Sequence, residues 1–162
     1  VRLIAPFVLG LLLLAGAAHA QAPVATAPPV DPRLAAAQAF LAGNGADPAV
    51  TTLPSGLQYK VVSAGPAGPS PKPGDAIKIH YEGALPDGTV FDSTLQRGRP
   101  AMMILEDLIP AWIEAIPLMK VGDEWTIYAP SSLGYGARGV GPIPPYSVLV
   151  FRLHLLGMLS AD

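Results

Sequence analysis

Four stretches of the chain alternate apolar and polar side chains with a period of two, the pattern of strands that bury one face and wet the other. The first runs Leu57-Gln58-Tyr59-Lys60-Val61-Val62. In the second, Ile77, Ile79 and Tyr81 share one face while Lys78, His80 and Glu82 take the opposite one. A third row joins Trp125, Ile127 and Ala129, and the longest sets Leu149, Phe151, Leu153 and Leu155 inward against Val148, Val150, Arg152 and His154. Between the second and third, Pro86-Asp87-Gly88-Thr89 supplies a turn, after which Val90 and Phe91 resume the sheet. One segment changes period. Over 107–117, Leu108, Trp112, Ala115 and Ile116 recur at helical spacing, Pro110 is tolerated in a first turn and Pro117 ends the run. The fold class is therefore α+β: a curved antiparallel sheet of about five strands wrapped over one short helix.

The N-terminal part lacks this alternation. Arg2 precedes an uncharged apolar run over 3–18, shorter than the roughly 20 residues of a membrane span, and Ala18-His19-Ala20 has the small side chains of a processing site. These features predict a signal peptide over 1–20, a mature chain beginning at Gln21, and a periplasmic or secreted location. Residues 21–31 are rich in Pro and Ala and read as an extended linker. Residues 32–42 predict a short helix, with Asp31 as its cap, Pro32 in its first turn and Gly43 as its stop. A helix of about eleven residues is marginal alone, so it docks or frays. Residues 43–54 read as a second linker. The expected plan is a signal peptide over 1–20, a linker with a short helix over 21–54, and a folded domain over 55–162.

Composition narrows the chemistry. Proline and glycine supply 19 and 17 of the 162 residues, which excludes a helical bundle, and a hydrophobic share of 51% excludes wholesale disorder. A formal net charge of −2 leaves no basic stripe for nucleic acid. Without cysteine there is no disulfide, thiol nucleophile or thiolate metal site. His80 and His154 face away from the apolar side with no partner at ligand spacing, so no metal is expected. Ser55, Ser131 and Ser132 lack a strand–turn–helix setting, and Gly134-x-Gly136 and Gly139-x-Gly141 open no helix that could cradle phosphate. No cofactor is expected either. What remains is an aromatic and aliphatic set in which Trp112 and Phe151, taken singly, read as core and Asp92 as a turn residue.

Taken in order, the pieces carry more. Tyr81 with Phe91-Asp92-Ser93, Leu108-Ile109-Pro110-Ala111-Trp112, Gly134-Tyr135-Gly136, Ile143-Pro144-Pro145 and Val148-Leu149-Val150-Phe151 resemble the FK506-binding-protein (FKBP) family of peptidyl-prolyl cis/trans isomerases. The resemblance runs from about Leu57 to Leu156, and 40–61 further resembles the family's exported bacterial branch. It implies an FKBP-like fold with Tyr81, Phe91, Asp92, Trp112, Tyr135 and Phe151 as the catalytic set. Arg97, Met103, Leu108, Ile109 and Ile143 are implied to bind substrate. Trp112 is the implied floor under the proline ring, Tyr135 and the Ile109 backbone N–H the donors to substrate carbonyls, and Asp92 the residue that orients Tyr81 and Arg97. Ala101 and Met103 stand where the family often has Phe, Ala111 replaces Gly before Trp112, and the loop over 137–145 looks one residue shorter. These departures bear on affinity for the family's macrolide inhibitors and on the residue preferred before proline.

The residues suit the implied reaction. Rotation about an Xaa-Pro bond faces a barrier of about 18–20 kcal/mol because amide resonance must be broken. The twisted amide loses charge separation, so a dry apolar pocket favours it over the planar amide that water solvates better. The expected partners are Xaa-Pro segments of unfolded or partly folded exported proteins, with no nucleic acid and no membrane after processing. The expected assembly is a monomer, since one short helix offers too little surface for a stable interface. An alternative of another class is a proline-motif-binding or chaperone module with little turnover, because aromatic grooves also hold proline-rich peptides.

Overall fold

The second and fourth alternating stretches become neighbours at the middle of one sheet. In the computed structural model, which describes residues 30–161, β3 (Ala76–Ala84) and β7 (Leu149–Leu159) pair antiparallel, with Tyr81 opposite Leu153 and a shift in register between Lys78 and Ile79. β6 (Glu124–Ala129) lies on the other side of β7, followed by β2 (Gln58–Ser63) and the short edge strand β1 (Thr51–Thr52). Two short strands share the far edge of β3. β5 (Ala101–Ile104) pairs with its first half and β4 (Val90–Ser93) with its second. The sequence of the sheet is β1-β2-β6-β7-β3-β4, with β5 on β3.

After β5 the chain crosses the sheet as a 3-10 turn (Leu105–Asp107), helix α2 (Pro110–Ala115) and a second 3-10 turn (Ile116–Leu118). Pro110 opens α2, where no backbone N–H is needed for an intrahelical bond. Ala111, Trp112, Ala115 and Ile116 are buried with Ile77, Ile79, Ile127, Leu153 and Leu155, so α2 and the inward rows of the strands make one core. Burial of aliphatic side chains at about 1.5–3 kcal/mol each is what holds this cysteine-free domain together.

Helix α1 (Pro32–Asn44) covers the opposite face of the sheet. Asp31 caps it by accepting from the Arg33 N–H. Its half-buried positions, Leu34, Ala37, Phe40, Leu41 and Asn44, fall on one stripe. Phe40 meets Tyr128 of β6 with ring centroids 6.3 Å apart. The Gln58 side chain donates to the Leu41 carbonyl at 2.8 Å and accepts from Asn44 at 2.8 Å.

The structure departs from the sequence reading in four places. α1 runs to Asn44, through Gly43, because the Gln58 contacts hold its last turn. Thr51 and Thr52, read as linker, pair with Tyr59 and Gln58 through a turn closed by Leu53 N–H donating to the Leu57 carbonyl, so the sheet begins before Ser55. β5 had no alternation to betray it, since Ala-Met-Met-Ile is apolar throughout. Val148, assigned to the wet face, is buried, because that face is covered near α1. The expected signal peptide, its processing site and the linker residues 21–29 lie outside the described residues.

Candidate active site

A cavity of about 170 Å3 opens where α2 meets the inward face of β3, β4 and β7. It is smaller than the roughly 300–1,000 Å3 of pockets that enclose drug-sized ligands, and suits a single ring. Tyr81, Phe91, Asp92, Met103, Leu108, Ile109, Trp112, Tyr135 and Phe151 line it. The structure thus brings together nine of the eleven residues singled out in the sequence. Arg97 stands beside the cavity, tied to its polar members, and Ile143 is not among the lining residues: from the loop before β7 its side chain joins the hydrophobic core.

The rings are set at right angles. Trp112 meets Tyr81 at 5.0 Å and 83° and Phe151 at 5.3 Å and 88°, and Phe91 meets Phe151 at 5.7 Å and 89°. Edge-to-face contacts of this kind hold aromatic rings firmly while leaving space between them. Pro110 fixes where α2 starts, and so sets Trp112 among the residues that line the cavity.

One polar network enters. The Tyr81 hydroxyl donates to Asp92 Oδ2 at 2.5 Å and accepts from Arg97 at 3.0 Å, while Arg97 also pairs with Asp92 Oδ1. Burial and the bond to Asp92 push the Tyr81 hydroxyl above its ordinary range. Burial alone would raise Asp92, but hydrogen bonds from Tyr81 and Arg97 and the Arg97 charge outweigh it and hold the carboxyl below the usual range. Asp92 is thus a carboxylate and Tyr81 a neutral phenol at pH 7, and neither is poised to exchange a proton. Unpaired donors remain at the cavity, the Trp112 indole N–H among them. Among the described residues the Tyr135 hydroxyl and the Ile109 backbone N–H make no hydrogen bond, and both belong to cavity-lining residues.

Two positioning residues escaped the sequence reading. A Cβ on Gly83 would lie 2.6 Å from the Phe91 ring and 2.8 Å from that of Phe151, so only glycine lets these rings close over β3. A glycine inside a strand was the available signal. Thr94, fully buried, donates its hydroxyl to the Tyr81 carbonyl at 3.0 Å and accepts from the Tyr81 N–H at 2.8 Å. With its proton so used, the Thr94 oxygen accepts from His80 Nδ1 at 2.9 Å, which assigns the proton of that ring to Nδ1. Among the described residues no group of three or more His, Asp or Glu could hold a metal ion.

Known proteins resemble this chain in sequence and fold. The family described as "FKBP-type peptidyl-prolyl cis-trans isomerase" matches residues 68–156, and the "domain amino terminal to FKBP-type peptidyl-prolyl isomerase" matches 17–61. The outer membrane protein MIP of Legionella longbeachae is 45% identical over 124 residues, 76% of this chain and 53% of that protein. The FKBP-type 22 kDa peptidyl-prolyl cis-trans isomerase of Escherichia coli (strain K12) is 46% identical over 121 residues, 74% of this chain and 58% of that one. The chain therefore spans little more than half the length of these relatives. Among solved structures, FkpA from Escherichia coli superposes with a TM-score of 0.75 at 37% identity, covering 79% of this chain and 60% of that one. A peptidyl-prolyl cis-trans isomerase from Pseudomonas syringae pv. tomato gives 0.75 at 33% identity, covering 83% and 99%. With fold and sequence in agreement, the chain belongs to the FKBP-type peptidyl-prolyl cis-trans isomerase family.

Proposed function

We propose that the cavity catalyses cis/trans rotation about Xaa-Pro bonds in unfolded or partly folded polypeptides. The observation that carries this reading is the mutually perpendicular Tyr81, Trp112 and Phe151 rings around a space for one ring, with a polar network already satisfied within itself. The proline ring rests over Trp112, between Tyr81, Phe91 and Phe151. Leu108 and Met103 exclude water from the amide, and the less polar twisted state gains relative to the planar one. The Ile109 N–H and the Tyr135 hydroxyl each hold a substrate carbonyl, fixing the chain on one side of the rotating bond. Asp92 and Arg97 keep Tyr81 in place and touch no reacting atom. No bond to carbon breaks and no proton moves, which accords with a cavity in which Asp92 is held low and Tyr81 high.

The protein is proposed to act in the bacterial periplasm or outside the cell on exported clients, a reading supported by the apolar run over 3–18 and by a relative named as an outer membrane protein. It is proposed to be a monomer, since one short helix, α1, offers too little surface for a stable interface. Light scattering at micromolar concentration returning twice the monomer mass would overturn that point. For the activity, a protease-coupled assay on Leu-Pro and Phe-Pro peptides is expected to show acceleration that saturates with substrate. Binding of the same peptides without acceleration would favour the holding module instead.

A further inference from the structure

Beside the aromatic cavity lies an edge that the sheet leaves unpaired. β5 hydrogen-bonds to β3 on one side, and its outer backbone groups meet no strand among the described residues. A hollow of about 370 Å3 follows that edge, lined by Arg97, Arg99, Pro100, Ala101, Met102 and Met103. Met102 is 62% exposed while Met103 packs against the core, so the two point to opposite faces and the hollow they share lies along the rim of the strand. Met103 also lines the cavity, and Arg97 bonds to Tyr81 and Asp92 of that cavity. Hollow and cavity are therefore neighbours, with Met103 as a wall of both.

The hollow carries one uncompensated charge. Arg97 is paired with Asp92. Arg99 makes no ion pair and no side-chain hydrogen bond among the described residues, and no carboxylate lines the hollow. Its backbone is held, since the Arg99 N–H donates to the Thr94 carbonyl at 3.3 Å. Unpaired strand groups accept an extended chain as an added strand, and an unpaired guanidinium accepts a carboxylate. We propose that β5 receives, as an added strand, the stretch of client that flanks the proline, and that Arg99 selects an acidic side chain on it. This rests on the isomerase reading, because a proline held in the cavity is what brings its flank to the edge. Reach is sufficient: Arg99 stands four residues before Met103, at most about 13–14 Å of extended chain, so a client strand covers the distance in about four residues of its own. With the proline already bound, the second contact is intramolecular, and a weak pair suffices to be felt. The opposite edge of the sheet is β1, only two residues long and separated from β3 by β2, β6 and β7.

The test uses the full chain and peptides that carry Asp, Asn or Lys about two to four positions before or after a Phe-Pro bond, with exchange between the isomers followed by NMR. On one flank the Asp peptide is expected to show a KM roughly two- to five-fold below that of the Asn peptide, with kcat unchanged. That advantage should vanish in Arg99→Ala, pass to the Lys peptide in Arg99→Glu, and shrink as salt is raised. Both variants should turn over the Asn peptide as the unsubstituted chain does. The outward amides of β5 should also become protected from hydrogen exchange when the Asp peptide saturates the protein. Intact catalysis with equal KM values for Asp and Asn peptides on both flanks would overturn the proposal alone. An Asp preference that survives Arg99→Ala, or that comes without protection of β5, would overturn it too. No catalysed exchange of any peptide would overturn the isomerase reading and this proposal with it.

Discussion

The domain holds two tryptophans that look alike by burial and differ in what surrounds them. Trp112 on α2 is 4% exposed and Trp125 on β6 is 5% exposed, and neither indole N–H has a hydrogen-bond partner among the described residues. Trp125 lies flat on Tyr59, with centroids 4.4 Å apart and planes at 11°. Trp112 meets Tyr81 and Phe151 at 83° and 88°. Parallel rings fill the space between them and perpendicular rings enclose it. The same side chain fills the core in one setting and lines the cavity in the other, so ring orientation, more than burial, separates the two places.

Substitutions can break that comparison, and the largest effect is expected from a wall. Phe151→Ala should cost about 3–5 kcal/mol of stability in urea titration, and should lower kcat/KM more than Asp92→Ala, since it admits water where Asp92 only orients its neighbours. The two tryptophans should then part company. Trp112→Phe and Trp125→Phe should each cost about 0.5–3 kcal/mol of stability, but only the first should reduce kcat/KM per folded molecule. Equal losses of activity would mean that the stacked pair also shapes the site. Tyr135→Phe removes the hydroxyl proposed to hold a substrate carbonyl, about 0.5–1.5 kcal/mol, and should lower kcat/KM roughly two- to twelve-fold without changing stability. The smallest effect is expected from pH. Asp92 is held low and Tyr81 high, so kcat/KM should stay level from about pH 6 to 8, and His154→Ala should leave it unchanged. A lowered Asp92 contributes stability that is full above its unfolded value of about 3.9 and is lost as pH falls through its folded one. A bell-shaped profile centred near neutrality, measured across that range, would assign the reaction to a titrating group.

Periodicity revealed the long strands because their faces differ, Ile77, Ile79 and Tyr81 inward against Lys78, His80 and Glu82. It was blind to β5, whose Ala-Met-Met-Ile has no polar face, and to β1, whose two threonines pair only because a turn returns them to β2. The cavity was legible through resemblance, since nothing in the spacing of Tyr81, Trp112 and Phe151 says that their rings stand perpendicular. Gly83 and Thr94 act through backbone clearance and backbone hydrogen bonds, which a list of side-chain types does not express. Ile143 belonged to a matching motif yet joins the core, from a loop in which Val140 and Ile143 bridge across a turn.

The place of β7 has a consequence for how the chain is made. It is the last strand in chain order, yet it lies between β6 and β3 and holds the two halves of the sheet together. While a chain emerges N-terminus first, β1, β2 and β6 on one side and β3, β4 and β5 on the other have no strand to join them, and the cavity lacks Phe151. Pairings this distant in sequence close slowly, because loop entropy is lost before the contacts form. Nascent chains therefore carry an open sheet and no finished pocket until the final strand arrives, so that completion of the fold and completion of the site are a single event.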